Sequence, residues 1–224
     1  MIRIKICGIQ RLADAQVAAE AGADFIGLVF VPGRPRRLDN NDAGVLVSQL
    51  KAAGGLVPQV VGLFADQPVE LVNRSIKECG LDLAQLCGDE SVDYCRRVQG
   101  RVIKVLHVAD SLSENTAVAH LMDRIQAYRT AGHLVTLDRL VEGVPGGTGQ
   151  SFNWSVAAEL ARRGHPFLLA GGLTPDNVGQ AVHAVRPWGV DVSSGVETGG
   201  VKDAQKIRAF IRNARSFRGR IPAG

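Results

Sequence analysis

Apolar and polar positions alternate at the start of the chain, where Ile2, Ile4 and Ile6 are separated by Arg3 and Lys5, and Cys7-Gly8 closes the run. A period of two predicts a strand. Over residues 11–22 the period changes. Helix formers set Leu12, Ala15 and Ala19 at helical spacing, and Gly22 stands where a helix would stop. Residues 24–30, DFIGLVF, are then almost continuously apolar, the pattern of a parallel strand covered on both faces.

The same exchange repeats to the end of the chain. Further strands are predicted at 59–64, 83–86, 102–107, 134–138, 167–170 and 190–193. Helices are predicted at 42–53, 68–79, 91–98, 113–130, 154–163, 175–185 with Pro175 in the first turn, and 203–216 opened by Asp203. Eight strand-then-helix units without a linker predict one α/β domain, a (β/α)8 TIM barrel spanning residues 1–224, with 217–224 as a flexible basic tail. A doubly wound open sheet is the competing architecture; it usually has fewer strands and an early GxGxxG, which this chain lacks.

In a barrel the chemistry belongs to the loops after the strands. There the chain collects Cys7-Gly8, Arg34-Arg36-Arg37, Asp66, residues 85–90, Asp138, Gly171-Gly172 and Ser193-Ser194-Gly195, while the strands are mostly Val, Ile, Leu and Phe. Asp138 ends the sixth strand and shares its inward face with Thr136, and the glycine-rich Gly146-Gly147-Thr148-Gly149 follows. A carboxylate covered there would be partly desolvated, raising its pKa toward that of a general acid. Cys7 follows Lys5 on one face of the first strand, and a nearby ammonium favours a thiolate able to act as base or nucleophile. The small residues after strands seven and eight suit a phosphate, because they let backbone N–H groups approach an anion.

Composition narrows the classes. An apolar fraction of 46% and a charged fraction of 21% are ordinary for a globular protein with a full core. The net charge of +4 favours anionic partners, yet no aromatic platform accompanies the basic residues, so nucleic acid is not expected. No long apolar span or signal peptide is apparent, so no membrane is expected and the cytoplasm is the default location. The four cysteines form no CxxC pair; Cys79, Cys87 and Cys95 read as structural. GxxxxGK[ST], HExxH and GxSxG are absent, and the histidines show no metal-ligand pairing.

KICGI at 5–9, FVPGRPRRL at 30–38, QLCGDE at 85–90, GGTGQSFNW at 146–154, LAGGLTPDNV at 169–178 and VDVSSGVET at 190–198 together resemble the phosphoribosylanthranilate isomerase family of tryptophan biosynthesis. The resemblance implies a (β/α)8 barrel that performs an Amadori rearrangement of a small phosphorylated substrate without a cofactor or metal, as a monomer or homodimer. It implies Asp138 as general acid and Cys7 as general base. Arg36 would bind the anthranilate carboxylate, and Asp191 would contact substrate. Gly172, Leu173, Ser194 and Gly195 would bind phosphate, with Gly147 and Thr148 closing over the site. Two positions depart from the family pattern: Cys87 stands where His is usual, and Gln10 where Thr is usual. A binding barrel without catalysis would not need both Cys7 and Asp138. Isomerases that also accept the related histidine-pathway aminoaldose usually pair two aspartates, where this chain has Cys7.

Overall fold

The structure, a computed structural model, describes residues 1–109, 113–140 and 154–216. Among them eight parallel strands close into a barrel in sequence order: β1 (Arg3–Cys7), β2 (Phe25–Val29), β3 (Gln59–Phe64), β4 (Leu83–Leu86), β5 (Arg101–Ala109), β6 (Leu134–Leu140), β7 (Leu168–Leu169) and β8 (Gly189–Val192). The helices that return the chain are α1 (Leu12–Ala21), α2 (Asn40–Ala52), α3 (Val69–Cys79), α4 (Val92–Arg97), α5 (Glu114–Thr130), α6 (Trp154–Arg162), α7 (Val178–Val185) and α8 (Ala204–Arg215). A two-stranded hairpin, β9 (Glu197–Thr198) and β10 (Val201–Lys202), lies between β8 and α8. This is the TIM barrel that the eightfold pattern predicts.

Local chemistry sets the helix ends. The side chains of Asp39, Ser91, Ser113 and Asp203 accept hydrogen bonds from first-turn N–H groups of α2, α4, α5 and α8. Gly22, at φ 90°, ends α1 in the left-handed conformation. Some boundaries differ from expectation. β5 runs on to Ala109 and β6 to Leu140, so Asp138 lies within β6 and does not end it. A helix start differs as well. The helix predicted from Pro175 begins only at Val178, because Asn177 Oδ1 accepts from Thr174 N (2.8 Å) and Asn177 Nδ2 donates to Gly172 O (3.0 Å), which holds the preceding residues in a turn.

Strand alternation separates two cores. Outward residues such as Ile4, Ile6, Ile26, Leu28, Val60 and Leu106 pack beneath the helices, while Phe25, Val61, Leu63, Leu83, Ile103 and Leu168 fill the barrel. A buried ion pair on the outer side fastens one connection at the strands' C-terminal end. Lys104 and Glu90 meet at 2.7 Å with side chains 0% and 1% exposed, and Lys104 also donates to the carbonyls of Leu86 and Gly88. Glu90 in turn accepts from Asp66 N at 2.8 Å. Asp66 has φ 54° and accepts from Asp89 N, so the β3–α3 and β4–α4 connections are tied together.

Candidate active site

Inward residues of a barrel stack in layers drawn from alternate strands. The strand register sets Lys5, Val61, Ile103 and Leu168 in one layer. Gly27, Gln85, Thr136 and Asp191 form the layer above, Cys7 with Leu63 and Val105 the next, and Cys87 and Asp138 the next after that. Apart from Lys5 the barrel is apolar at the depth of the first layer, and it turns polar toward the C-terminal ends of its strands. Gln85 Oε1, Thr136 Oγ1 and Asp191 Oδ1 are buried without a hydrogen-bond partner, at a desolvation cost of about 1–3 kcal/mol each.

Cys7 lies just above this layer. A Cβ built on Gly27 would come within 2.9 Å of Cys7 Sγ, so the glycine makes room for the sulfur. Below, Lys5 is fully buried and gives Asp191 Oδ2 a 2.7 Å hydrogen bond. Burial disfavours the Lys5 ammonium, but the charge and hydrogen bond of the Asp191 carboxylate weigh against it, and its pKa stays above the ordinary lysine value. For Cys7, burial and the Asp191 carboxylate push the pKa up, and the opposing pull of Lys5 and Lys202 does not cancel them. The neighbouring ammonium that favours a thiolate is present, but desolvation is the larger effect and leaves the Cys7 pKa raised.

Arg36 reaches the same place from the β2–α2 connection. Its Cδ is the atom nearest a Cβ built on Gly8, at 2.5 Å, so its stem lies flat over the residue that follows Cys7. The guanidinium binds Glu197 in two bonds, Nε to Oε1 at 2.7 Å and Nη2 to Oε2 at 2.6 Å. Glu197 also accepts from Lys202, which donates to Ser193 O at 3.0 Å. Burial raises the Glu197 pKa, yet the hydrogen bonds from Arg36 and Lys202 outweigh it and leave the carboxylate below its usual value. Sequence reasoning gave Glu197 and Lys202 no role. Glu197 was visible only as part of a motif, and a lone lysine after a glycine pair carries no signal of its own.

The two turns after β7 and β8 touch. A Cβ on Gly195 would overlap the Leu173 carbonyl oxygen and come within 3.0 Å of its carbon, so only glycine permits this approach. Gly172 has φ 68°, and its carbonyl is held by Asn177. Leu173 is buried, and Ser194 begins a single 3-10 turn that ends at Val196. Gly172, Leu173, Ser194 and Gly195 are thereby brought together beside Ser193, whose Oγ is 3.0 Å from the Cβ position of Gly8.

Asp138 is partly buried at the inward face of β6, paired in register with His107. Cys87 shares its layer, and His107 Nε2 lies 3.3 Å from the Cys87 carbonyl. The departure at Cys87 therefore falls on the polar face itself, where burial pushes the thiol up to about 12. Gly147 and Thr148 lie outside the described residues. Among the described residues no cluster of His, Cys, Asp and Glu could hold a metal ion, and no helix is long and apolar enough to cross a membrane.

The sequence model of N-(5'-phosphoribosyl)anthranilate (PRA) isomerase matches residues 4–213. The chain belongs to this family. It is 47% identical over 216 residues to the N-(5'-phosphoribosyl)anthranilate isomerase of Trichlorobacter lovleyi, covering 96% of this chain and 98% of that one. The crystal structure of the Thermotoga maritima phosphoribosyl anthranilate isomerase has a TM-score of 0.82 at 33% identity, over 97% of this chain and 100% of that one. A further family structure, in complex with reduced 1-(o-carboxyphenylamino)-1-deoxyribulose 5-phosphate, has a TM-score of 0.79 at 32% identity, with coverage of 97% and 100%. The family is one of isomerases acting in tryptophan biosynthesis, and its solved members share the TIM barrel found here.

Proposed function

We propose that this protein converts N-(5-phosphoribosyl)anthranilate to 1-(2-carboxyphenylamino)-1-deoxyribulose 5-phosphate by general acid–base catalysis. Asp138 gives a proton to the ribose ring oxygen as the bond from that oxygen to C1 breaks, and the open chain is left as a protonated Schiff base. Cys7, as thiolate, takes the C2 proton, and the electron pair moves toward the Schiff-base nitrogen to give an enolamine. Its tautomerisation, with a proton gained at C1 and one lost from the C2 hydroxyl, yields the ketone, and the atoms balance without a co-reactant. Arg36 holds the anthranilate carboxylate. Gly172, Leu173, Ser194 and Gly195 hold the phosphate, Asp191 faces the sugar chain, and Gly147 and Thr148 cover the bound substrate.

The observation that carries this reading is the setting of Cys7. Its sulfur sits in a slot left by Gly27, above a buried ammonium, directly before the glycine over which Arg36 lies. A cysteine that served only to pack would not need a buried Lys5–Asp191 pair beneath it, which costs desolvation energy. Turnover of N-(5-phosphoribosyl)anthranilate by the purified protein tests the reading. Cys7→Ser and Asp138→Asn should each lower kcat by about 10²-fold or more, the usual worth of a positioned acid or base. Near-normal turnover in either variant would remove that residue from its role.

A further inference from the structure

Arg36 is a long side chain on a connection, and something must aim its guanidinium. Glu197 occupies one edge of it, through Nε and Nη2, in two bonds of 2.7 and 2.6 Å. Of the five guanidinium N–H donors this leaves three, and two of them form the edge shared by Nη1 and Nη2, which is itself a two-bond match for a second carboxylate. The Arg36 side chain remains 28% exposed, against 6% for Glu197, so the pair is anchored at its buried carboxylate.

Glu197 is aimed in its turn. It pairs with Lys202 across the β9–β10 hairpin, and residues directly opposite in a ladder project to the same side. Gly199 and Gly200, at φ 58° and 79°, make the turn. Thr198 Oγ1 donates to Asp203 Oδ2 at 2.9 Å and Lys206 Nζ to Glu197 O at 2.7 Å, which fastens the hairpin to the start of α8. The Lys202 side chain is 3% exposed. Charge completes the picture: Arg36 and Lys202 carry two positive charges against one on Glu197, and Lys5 with Asp191 sums to zero. One positive charge is left over beside Cys7.

We infer that Glu197 and Lys202 are positioning residues that hold the Arg36 fork with its second edge toward Cys7 and keep one net positive charge there, so that the site selects a substrate whose arylamine carries a carboxylate. This rests on the reading of Arg36 as the partner of the anthranilate carboxylate. Without Lys202 the Arg36–Glu197 pair would be neutral and would attract a further anion weakly. Without Glu197 the guanidinium would be free to turn, and Lys202 would be a buried cation left with a single carbonyl.

Calorimetric binding of two ligands tests this: reduced 1-(o-carboxyphenylamino)-1-deoxyribulose 5-phosphate and its counterpart lacking the ring carboxylate. Glu197→Gln keeps the shape, but its amide turns N–H donors toward two cations. It should weaken the carboxylate ligand by about 10-fold, one charge-assisted bond's worth, and leave the other ligand nearly unchanged. Lys202→Met should act in the same direction. In turnover, KM should rise more than kcat falls, and combination with Arg36→Ala should be strongly non-additive. Equal weakening of both ligands would mark Glu197 as merely structural. Tighter binding of the carboxylate ligand would mark it as a competitor for Arg36. Either result overturns the inference. If the unaltered protein itself fails to distinguish the ligands, the reading of Arg36 is what fails; if it distinguishes them and Glu197→Gln still does so fully, only the positioning role falls.

Discussion

Gly195→Ala probes whether the turns after β7 and β8 form a single phosphate cup. The added methyl would overlap the Leu173 carbonyl oxygen, with Leu173 C at 3.0 Å and Thr174 Cα at 3.2 Å also too close. All three are backbone atoms, so no side chain can swing aside. To regain an ordinary contact of about 3.5 Å, the turns must separate by roughly 1 Å or more. Overpacking of this kind costs about 1–3 kcal/mol of stability, which the buried surroundings of Leu173 can absorb without unfolding. The larger effect falls on the ligand. A shift of that size takes at least one backbone donor out of range of a bound phosphate, and a hydrogen bond to a charged group is worth about 1.5–3 kcal/mol. The dissociation constant of the reduced product should therefore rise by about 10- to 100-fold. Calorimetric titration with that ligand and with inorganic phosphate measures it. Gly44→Ala is the control: it lies within α2, where a new Cβ would sit 3.6 Å from Glu78 O, and it should leave binding alone while adding a few tenths to about 1 kcal/mol of stability. A folded Gly195→Ala protein that binds both ligands as before would refute the phosphate cup.

Two further outcomes follow from buried charge. Because the Cys7 pKa is raised and the base must be thiolate, the pH profile of kcat/KM should climb on its alkaline side above the usual cysteine range, and Lys5→Met should move that limb higher still by removing a thiolate-favouring charge; a plateau at neutral pH would contradict both. Lys104→Met should cost about 3–5 kcal/mol in urea unfolding, since it leaves Glu90 buried and unpaired, whereas Lys104→Met with Glu90→Leu should recover much of the loss; a single variant within 1 kcal/mol of the parent would dismiss the pair as a strut.

The barrel was legible in the sequence because its causes are local and periodic. Two-residue alternation at β1, unbroken apolar runs at β2 and β3, and helical spacing between them report which faces are buried. Eight repeats of that unit leave little choice of closure. Boundaries were less legible where a side chain competes with the backbone, as at α7, where Asn177 delays the helix by binding Thr174 N and Gly172 O. Cys7, Asp138 and the two glycine turns could be named from residue type and place near a strand's end, whereas Asp191, and Arg36 among its neighbouring arginines, were singled out only by the family resemblance.

What the sequence by itself determined is thus the architecture and the end of it where polar chemistry collects. Only the tertiary structure decided how those groups act on one another. Lys5 beside Cys7 suggested a thiolate, but whether a charge two residues away outweighs desolvation depends on how deeply both are buried, and at Cys7 burial prevails. Arg36 and Glu197 are separated by 161 positions, and no local pattern relates them; closing β8 against β1 brings the connection after β2 and the hairpin after β8 to one point. The overlap that bars a side chain at Gly195 is likewise a meeting of two backbones, and backbone proximity is written in no single residue. Periodicity records burial along one strand, whereas a site is made where strands distant in sequence end side by side.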